Sequence, residues 1–197
     1  MSLSNLLAKR IVKFMIRINA ISENQQDIYQ YIYEWVFSFL FYNISLLLIG
    51  FFLHRFVYSL LFSVSITLLR CTGGGTHAPS RILCTIVSYF EFLFVIFTVS
   101  FIVIVPVKTQ IIVAISSIGI ILALAPVDNS KKRFTSVQRK KLKIMSCFSC
   151  LILSILIIFF LLNKPDCSLI VVLCVLISAI DLTIGYILNK KASKQFD

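Results

Sequence analysis

The chain has 197 residues, 59% of them hydrophobic and only 14% charged, with a mean hydropathy of +0.97. A water-soluble domain so composed would expose large apolar patches, so lipid is the expected solvent and a soluble globular enzyme is excluded. The net charge of +11, from 19 Lys and Arg against 8 Asp and Glu, then reads as cytoplasmic loop charge rather than nucleic-acid binding.

The first 20 residues form a separate piece. Leu7, Ile11, Phe14, Met15 and Ile18 recur at helical spacing, while Lys9, Arg10, Lys13 and Arg17 gather on the other side. That pattern predicts a basic amphipathic helix within residues 1–22, lying in the membrane interface. Charges scattered through the apolar residues, with no small-residue cleavage site, argue against a cleavable signal peptide.

Six apolar runs follow, at 36–53, 56–69, 82–105, 111–125, 144–162 and 167–188. A full span needs about 20 apolar residues. The second and fourth runs fall short, so each is either a tilted span or a re-entrant segment. The expected fold is an all-α polytopic membrane protein with about six membrane helices and the amphipathic helix in front. It forms one integral membrane domain over 1–197. Charge placement sets the orientation. With the N-terminus in the cytoplasm, only Arg55, Lys108 and Lys164 of the 19 cations fall outside. That asymmetry places both termini in the cytoplasm under six spans or four.

The stretch RCTGGGTHAPSRILC, residues 70–84, interrupts this oily pattern. Gly73, Gly74 and Gly75 permit a sharp turn. Pro79 suits the first turn of a helix, which leaves Cys84 near its start with Arg81 close by. A thiol at a helix start beside a guanidinium is a common setting for a nucleophilic cysteine. His77 could serve as its base. On one continuous helix the two side chains would stand about 10.5 Å apart, so the segment through Ala78 must fold His77 back over the helix start. From the residues alone, a catalytic pair and a structural loop remain equally open.

A third group often orients the imidazole in such pairs. Asp128, Glu91 and Ser80 are the candidates by position, Glu91 lying two turns below Cys84 on nearly the same face. The run KKRFTSVQRKKLK, within a loop at 126–143, carries Lys131, Lys132, Arg133, Arg139, Lys140, Lys141 and Lys143. It fixes topology and attracts anionic lipid, and it could also dock an acidic peptide. The six cysteines sit mostly inside apolar runs as small packing residues, Cys147 and Cys150 included, so no disulfide framework, metal or cofactor is expected. A rival reading is a small ion- or proton-coupled transporter using Glu91 and Asp181, with His54 as a further membrane charge.

GGGTHAPSRILC resembles the His-x6-Cys signature of the accessory gene regulator B family, membrane endopeptidases of bacterial peptide quorum sensing. APVDNSKKRF, residues 125–134, is similar to the segment those proteins carry before their basic loop. The resemblance implies Cys84 as nucleophile and His77 as general base. It also implies a short propeptide substrate with an internal Cys or Ser and an acidic C-terminal tail. Cleavage through a Cys84 thioester, then cyclisation to a thiolactone or lactone, is the implied reaction. A homodimer in the bacterial cell membrane, with its active site on the cytoplasmic side, is the implied setting.

Overall fold

A computed structural model describes residues 3–73, 81–101, 105–127 and 134–193. Among them the chain is helical, with no strand. Seven helices follow in order: α1 (Leu3–Arg17), α2 (Gln26–Phe52), α3 (Phe56–Gly73), α4 (Arg81–Phe101), α5 (Val107–Leu124), α6 (Ser136–Asn163) and α7 (Pro165–Ser193). A single 3-10 turn, Glu23–Gln25, precedes α2. Six of the helices, α2 to α7, are long and apolar enough to cross a membrane, as expected of a multi-pass membrane protein.

The two short apolar runs are ordinary helices of 18 residues each. At 1.5 Å per residue each reaches about 27 Å, close to the hydrocarbon thickness of a bilayer. The apolar count stopped early at Arg70 and began late after Lys108, because polar residues at helix ends were excluded. A span tolerates such residues at its ends, where long side chains reach the interface.

The chain divides into two compact units, residues 1–49 and 50–197. In the first, α1 is amphipathic as predicted. Its buried row is Ser4, Ala8 and Val12, spaced one turn apart, while Phe14 and Ile18 are exposed. The helix ends in a Schellman motif. Asn19 adopts φ 55°, its N–H donates to the Ile16 carbonyl at 2.9 Å, and Ala20 N–H donates to Met15 at 2.9 Å. Asparagine tolerates this left-handed geometry better than most residues. Asn5 then ties α1 to α2, its amide donating to the Glu34 carboxylate at 3.1 Å. Tyr29, Tyr31, Tyr33 and Trp35 line the first turns of α2, the residue types that favour a membrane–water boundary.

In the second unit α7 is the central helix, with α3, α5 and α6 packed along it and α4 attached more sparsely. Its hydrophobicity is spread around the whole cylinder, which suits a helix surrounded by protein. The core joins Leu153 and Ile157 of α6 with Val171, Val172, Val175 and Ala179 of α7, and Ile121 of α5 and Leu69 of α3 close it. Serines line the contacts: Ser59 and Ser65 of α3, Ser117 of α5, Ser146 and Ser149 of α6, and Ser168 and Ser178 of α7 are all buried. In lipid, close packing drives helix association, and small residues let backbones approach.

Two connections are short. Between α2 and α3 the chain turns through a second Schellman motif, with His54 at φ 56°. Its N–H donates to Phe51 at 3.0 Å, and Arg55 N–H donates to Gly50 at 2.7 Å. His54 is thus a turn residue between two spans, which removes it as an intramembrane charge. Lys164 alone separates α6 from α7, which starts on Pro165 as a first-turn proline should. These two turns line an open cleft of about 740 Å³ with Tyr58, Asp166 and Cys167. His54 lines it, whereas Cys84, Glu91 and Asp181 do not.

Candidate functional site

Glu91 and Asp181, two of the residues singled out from the sequence, meet Arg70 in the last turn of α3, at the opposite end of that helix from the cleft. Polar groups in the last described turn of α3 find partners on neighbouring helices. Thr72 donates its hydroxyl back to the Leu68 carbonyl at 2.8 Å and lies 3.3 Å from the Ser149 hydroxyl of α6. A Cβ at Gly73 would meet Leu182 of α7 at 3.4 Å, so the backbone there lies in close contact with that helix. The Gly73 carbonyl accepts a hydrogen bond from Val127 N–H at 3.1 Å. That bond joins the start of the glycine-rich motif to the Ala125–Val127 stretch of the second motif, 54 residues further along the chain.

The Ala125–Val127 stretch is itself held from α6. Lys143 donates its ammonium to the carbonyls of Leu122 and Ala125, the latter at 2.9 Å. A cation placed on the last carbonyls of a helix satisfies groups that the helix cannot pair internally and complements its dipole. Ala125–Pro126 is a cis peptide bond, and Ala125 and Val127 are buried in the core.

The predicted basic loop is helical from Ser136 onward. Thr135 caps α6 through a complete capping box: its hydroxyl accepts from Gln138 N–H at 3.3 Å, and the Gln138 side chain accepts from Thr135 N–H at 3.1 Å. The signal Thr-x-x-Gln before an apolar run was present in the sequence, but the cations around it masked it. Arg139, Lys140 and Lys141 stand exposed on the first turns of α6, whereas Lys143 is half-buried over the end of α5.

Cys84 lies in the first turn of α4 and is half-buried. His77, Ser80, Asp128, Lys131, Lys132 and Arg133 lie outside the described residues. Glu91 turns to Arg70 of α3, whose Nη2 donates to its Oε2 at 2.6 Å. The same nitrogen is 3.5 Å from Oδ2 of Asp181 on α7, and Arg70 Nη1 donates to the Ser88 hydroxyl at 2.7 Å. Both membrane acids of the transporter reading therefore face one guanidinium. Arg70 and Ser88 were not singled out beforehand. The signal for Arg70 was two acids within apolar runs, which need an opposite charge at membrane depth.

Compared with protein-family models, the chain matches the one described as Accessory gene regulator B over residues 8–182. Comparison with curated proteins gave no match, and comparison with solved structures gave none.

Proposed function

We propose, since this chain belongs to the accessory gene regulator B family, that it is a cysteine endopeptidase that cleaves and cyclises a signalling propeptide. Membership itself implies a multi-pass membrane protein that takes part in processing an autoinducing peptide from a propeptide. The finer reading rests on one observation above the others. The Gly73–Val127 hydrogen bond brings together the two stretches that carry the family's motifs, at the same end of α3 as Arg70, which contacts the Cys84 helix.

In this reading His77 takes the proton of Cys84, and the thiolate attacks the scissile carbonyl of the propeptide. The tetrahedral intermediate collapses with loss of the C-terminal tail as an amine, which receives that proton from His77. A thioester to Cys84 remains. The propeptide's internal Cys or Ser then gives its proton to His77 and attacks the thioester carbonyl. A thiolactone or lactone forms, and the Cys84 thiolate leaves. With an internal thiol one thioester replaces another, so little bond energy changes, and proximity favours the intramolecular nucleophile over water. An apolar setting also limits hydrolysis of the intermediate.

Asp128 and Ser80 are the candidates for orienting His77. Asp128 directly follows Val127, whose N–H is bound at Gly73. Glu91, the third candidate, is engaged by Arg70. Arg139, Lys140 and Lys141 form the described part of a basic face for an acidic propeptide tail, with Lys131, Lys132 and Arg133 extending it along the chain. Both termini and the site face the cytoplasm of a bacterial cell, and the protein works as a homodimer.

The test is intact mass spectrometry of the protein in lipid after mixing with a candidate propeptide. A covalent adduct on Cys84 and a dehydrated peptide ring are expected. Cys84→Ala should abolish cleavage while leaving membrane insertion intact, and retained cleavage would sink the mechanism. His77→Ala should slow alkylation of Cys84, so an unchanged rate would remove His77 as its base.

A further inference from the structure

Cys84 stands on a stretch of α4 whose described side chains bury little. From residue 83 to residue 87 no side chain of α4 is buried, and Leu83, Ile86 and Val87 are each about half exposed. Among the described side chains of α4, the first fully buried apolar residue is Phe92, which meets Phe62 of α3 edge-on at 5.3 Å. Val95 and Ile96 follow it into the interior. Phe92 lies about 12 Å along the axis from Cys84. Over that distance apolar burial contributes little to fixing the backbone, and a nucleophile tolerates little displacement.

Polar groups fill that gap. Arg70 reaches from the last turn of α3 and grips two successive turns of α4. Its Nη1 donates to Ser88 at 2.7 Å and its Nη2 to Glu91 at 2.6 Å. The Ser88 hydroxyl passes the contact on by donating to the Cys84 carbonyl at 2.9 Å. Asp181 brings in α7 at 3.5 Å from the same Nη2. The planar guanidinium suits this work because its fork fixes two acceptors in one geometry, which an ammonium cannot do. The glutamate is the most enclosed of the three charged groups, with its side chain 13% exposed against 33% for Arg70 and 27% for Asp181.

We propose that Arg70, Ser88, Glu91 and Asp181 form a positioning clamp that fixes the Cys84 helix start against α3 and α7. The clamp itself stands on geometry, and only its kinetic consequence rests on the peptidase reading above. These four are positioning residues: Ser88 acts on the backbone of Cys84, and the acids act through Arg70. Glu91 thereby acquires a role distinct from orienting an imidazole.

The experiment uses the full chain in proteoliposomes, with Cys71 and Cys147 changed to Ser and a nitroxide label on Cys84. A Cys84→Ser version supplies the background from the three buried cysteines. Arg70→Ala would strand two acids in lipid and risk unfolding, so Ser88→Ala and Arg70→Lys are the informative variants. Ser88→Ala cuts the link to the Cys84 turn while leaving the ion pair whole. Both variants should broaden the motional range of the label at Cys84. A second label at Ile152→Cys, on an exposed face of α6, should be unaffected. In unlabelled protein, kcat for propeptide cleavage should fall about tenfold in Ser88→Ala and about a hundredfold in Arg70→Lys, with KM held within about twofold. Unchanged mobility at Cys84 in both variants would overturn the clamp. So would equal loosening at Ile152→Cys, which marks a global effect, or a rise in KM at constant kcat, which marks substrate contact. If mobility responds while the parent protein cleaves no propeptide, the clamp stands and the peptidase reading falls.

Discussion

Gly50, in the last turn of α2, lies close against Ser59, and Gly50→Ala should destabilise the protein. A Cβ built there falls 1.8 Å from Oγ and 2.5 Å from Cβ of Ser59, which is itself fully buried. Carbon atoms in contact normally sit about 3.5–4.0 Å apart, so the backbone at Gly50 or Ser59 must shift by about 1 Å or more. Rotating the Ser59 hydroxyl cannot relieve the clash, because its Cβ is involved as well. The turn cannot yield freely either: the Gly50 carbonyl accepts from Arg55 N–H at 2.7 Å and His54 already occupies the left-handed region. Overpacking of this kind costs about 1–3 kcal/mol, and replacing a helical glycine returns at most about 1 kcal/mol. The net loss should be about 1–2 kcal/mol, read as a shifted midpoint in detergent unfolding. Ser59→Gly added to Gly50→Ala should recover most of it, because the obstructing side chain is gone. Gly119→Ala on α5 is the control. Nothing lies within 4 Å of a Cβ there, so that variant should be as stable as the parent or slightly more so. A Gly50→Ala protein with the parent's midpoint, or a double variant no better than the single, would refute the close-approach argument.

The remaining expectations concern the basic end of the bundle. Changing Arg139, Lys140 and Lys141 to Gln should weaken propeptide processing at low salt and matter less as ionic strength rises. If processing is the same at every salt concentration, these charges serve topology alone. Lys143→Met should leave the Leu122 and Ala125 carbonyls without their cation and speed amide exchange at Val127, whose N–H binds Gly73. Unchanged protection at Val127 would show that the core contacts of that stretch suffice without the lysine. Thr135→Ala should cost about 1 kcal/mol of helix stability and increase exchange at the Gln138 amide, which it caps. An unchanged Gln138 amide would mean that the first turn of α6 is held by its surroundings rather than by its cap.

How much of this was readable beforehand differs from one element to the next. The spans 36–53 and 144–162 declared themselves by length, and the helices found there extend further only at their polar ends. α3 and α5 looked too short because Arg70 in one and Lys108 and Gln110 in the other were counted as breaks. In the structure Gln110 is buried and donates to the Val105 carbonyl at 3.1 Å, so it belongs to the helix start rather than to a loop. The 126–143 loop is helical from Ser136 onward. Its charge suggested solvent, while its Thr135–Gln138 capping box, a purely local signal, already specified a helix.

Cys84 and His77 were legible as a motif, and the family they suggested is the one to which the chain belongs. What the motif could not supply is its support. Arg70 and Glu91 were both visible as charges, but nothing local paired them with each other, with Ser88 or with Asp181. The sequence by itself determined the solvent, the helical class and the number of apolar segments. Each follows from a requirement that a single segment must meet alone: in lipid, every backbone polar group has to be satisfied within its own helix. Only the tertiary structure decided which faces of α3, α4 and α7 meet. Pairing a buried charge depends on the rotation and depth of two separate helices, and those are set by packing across the whole bundle.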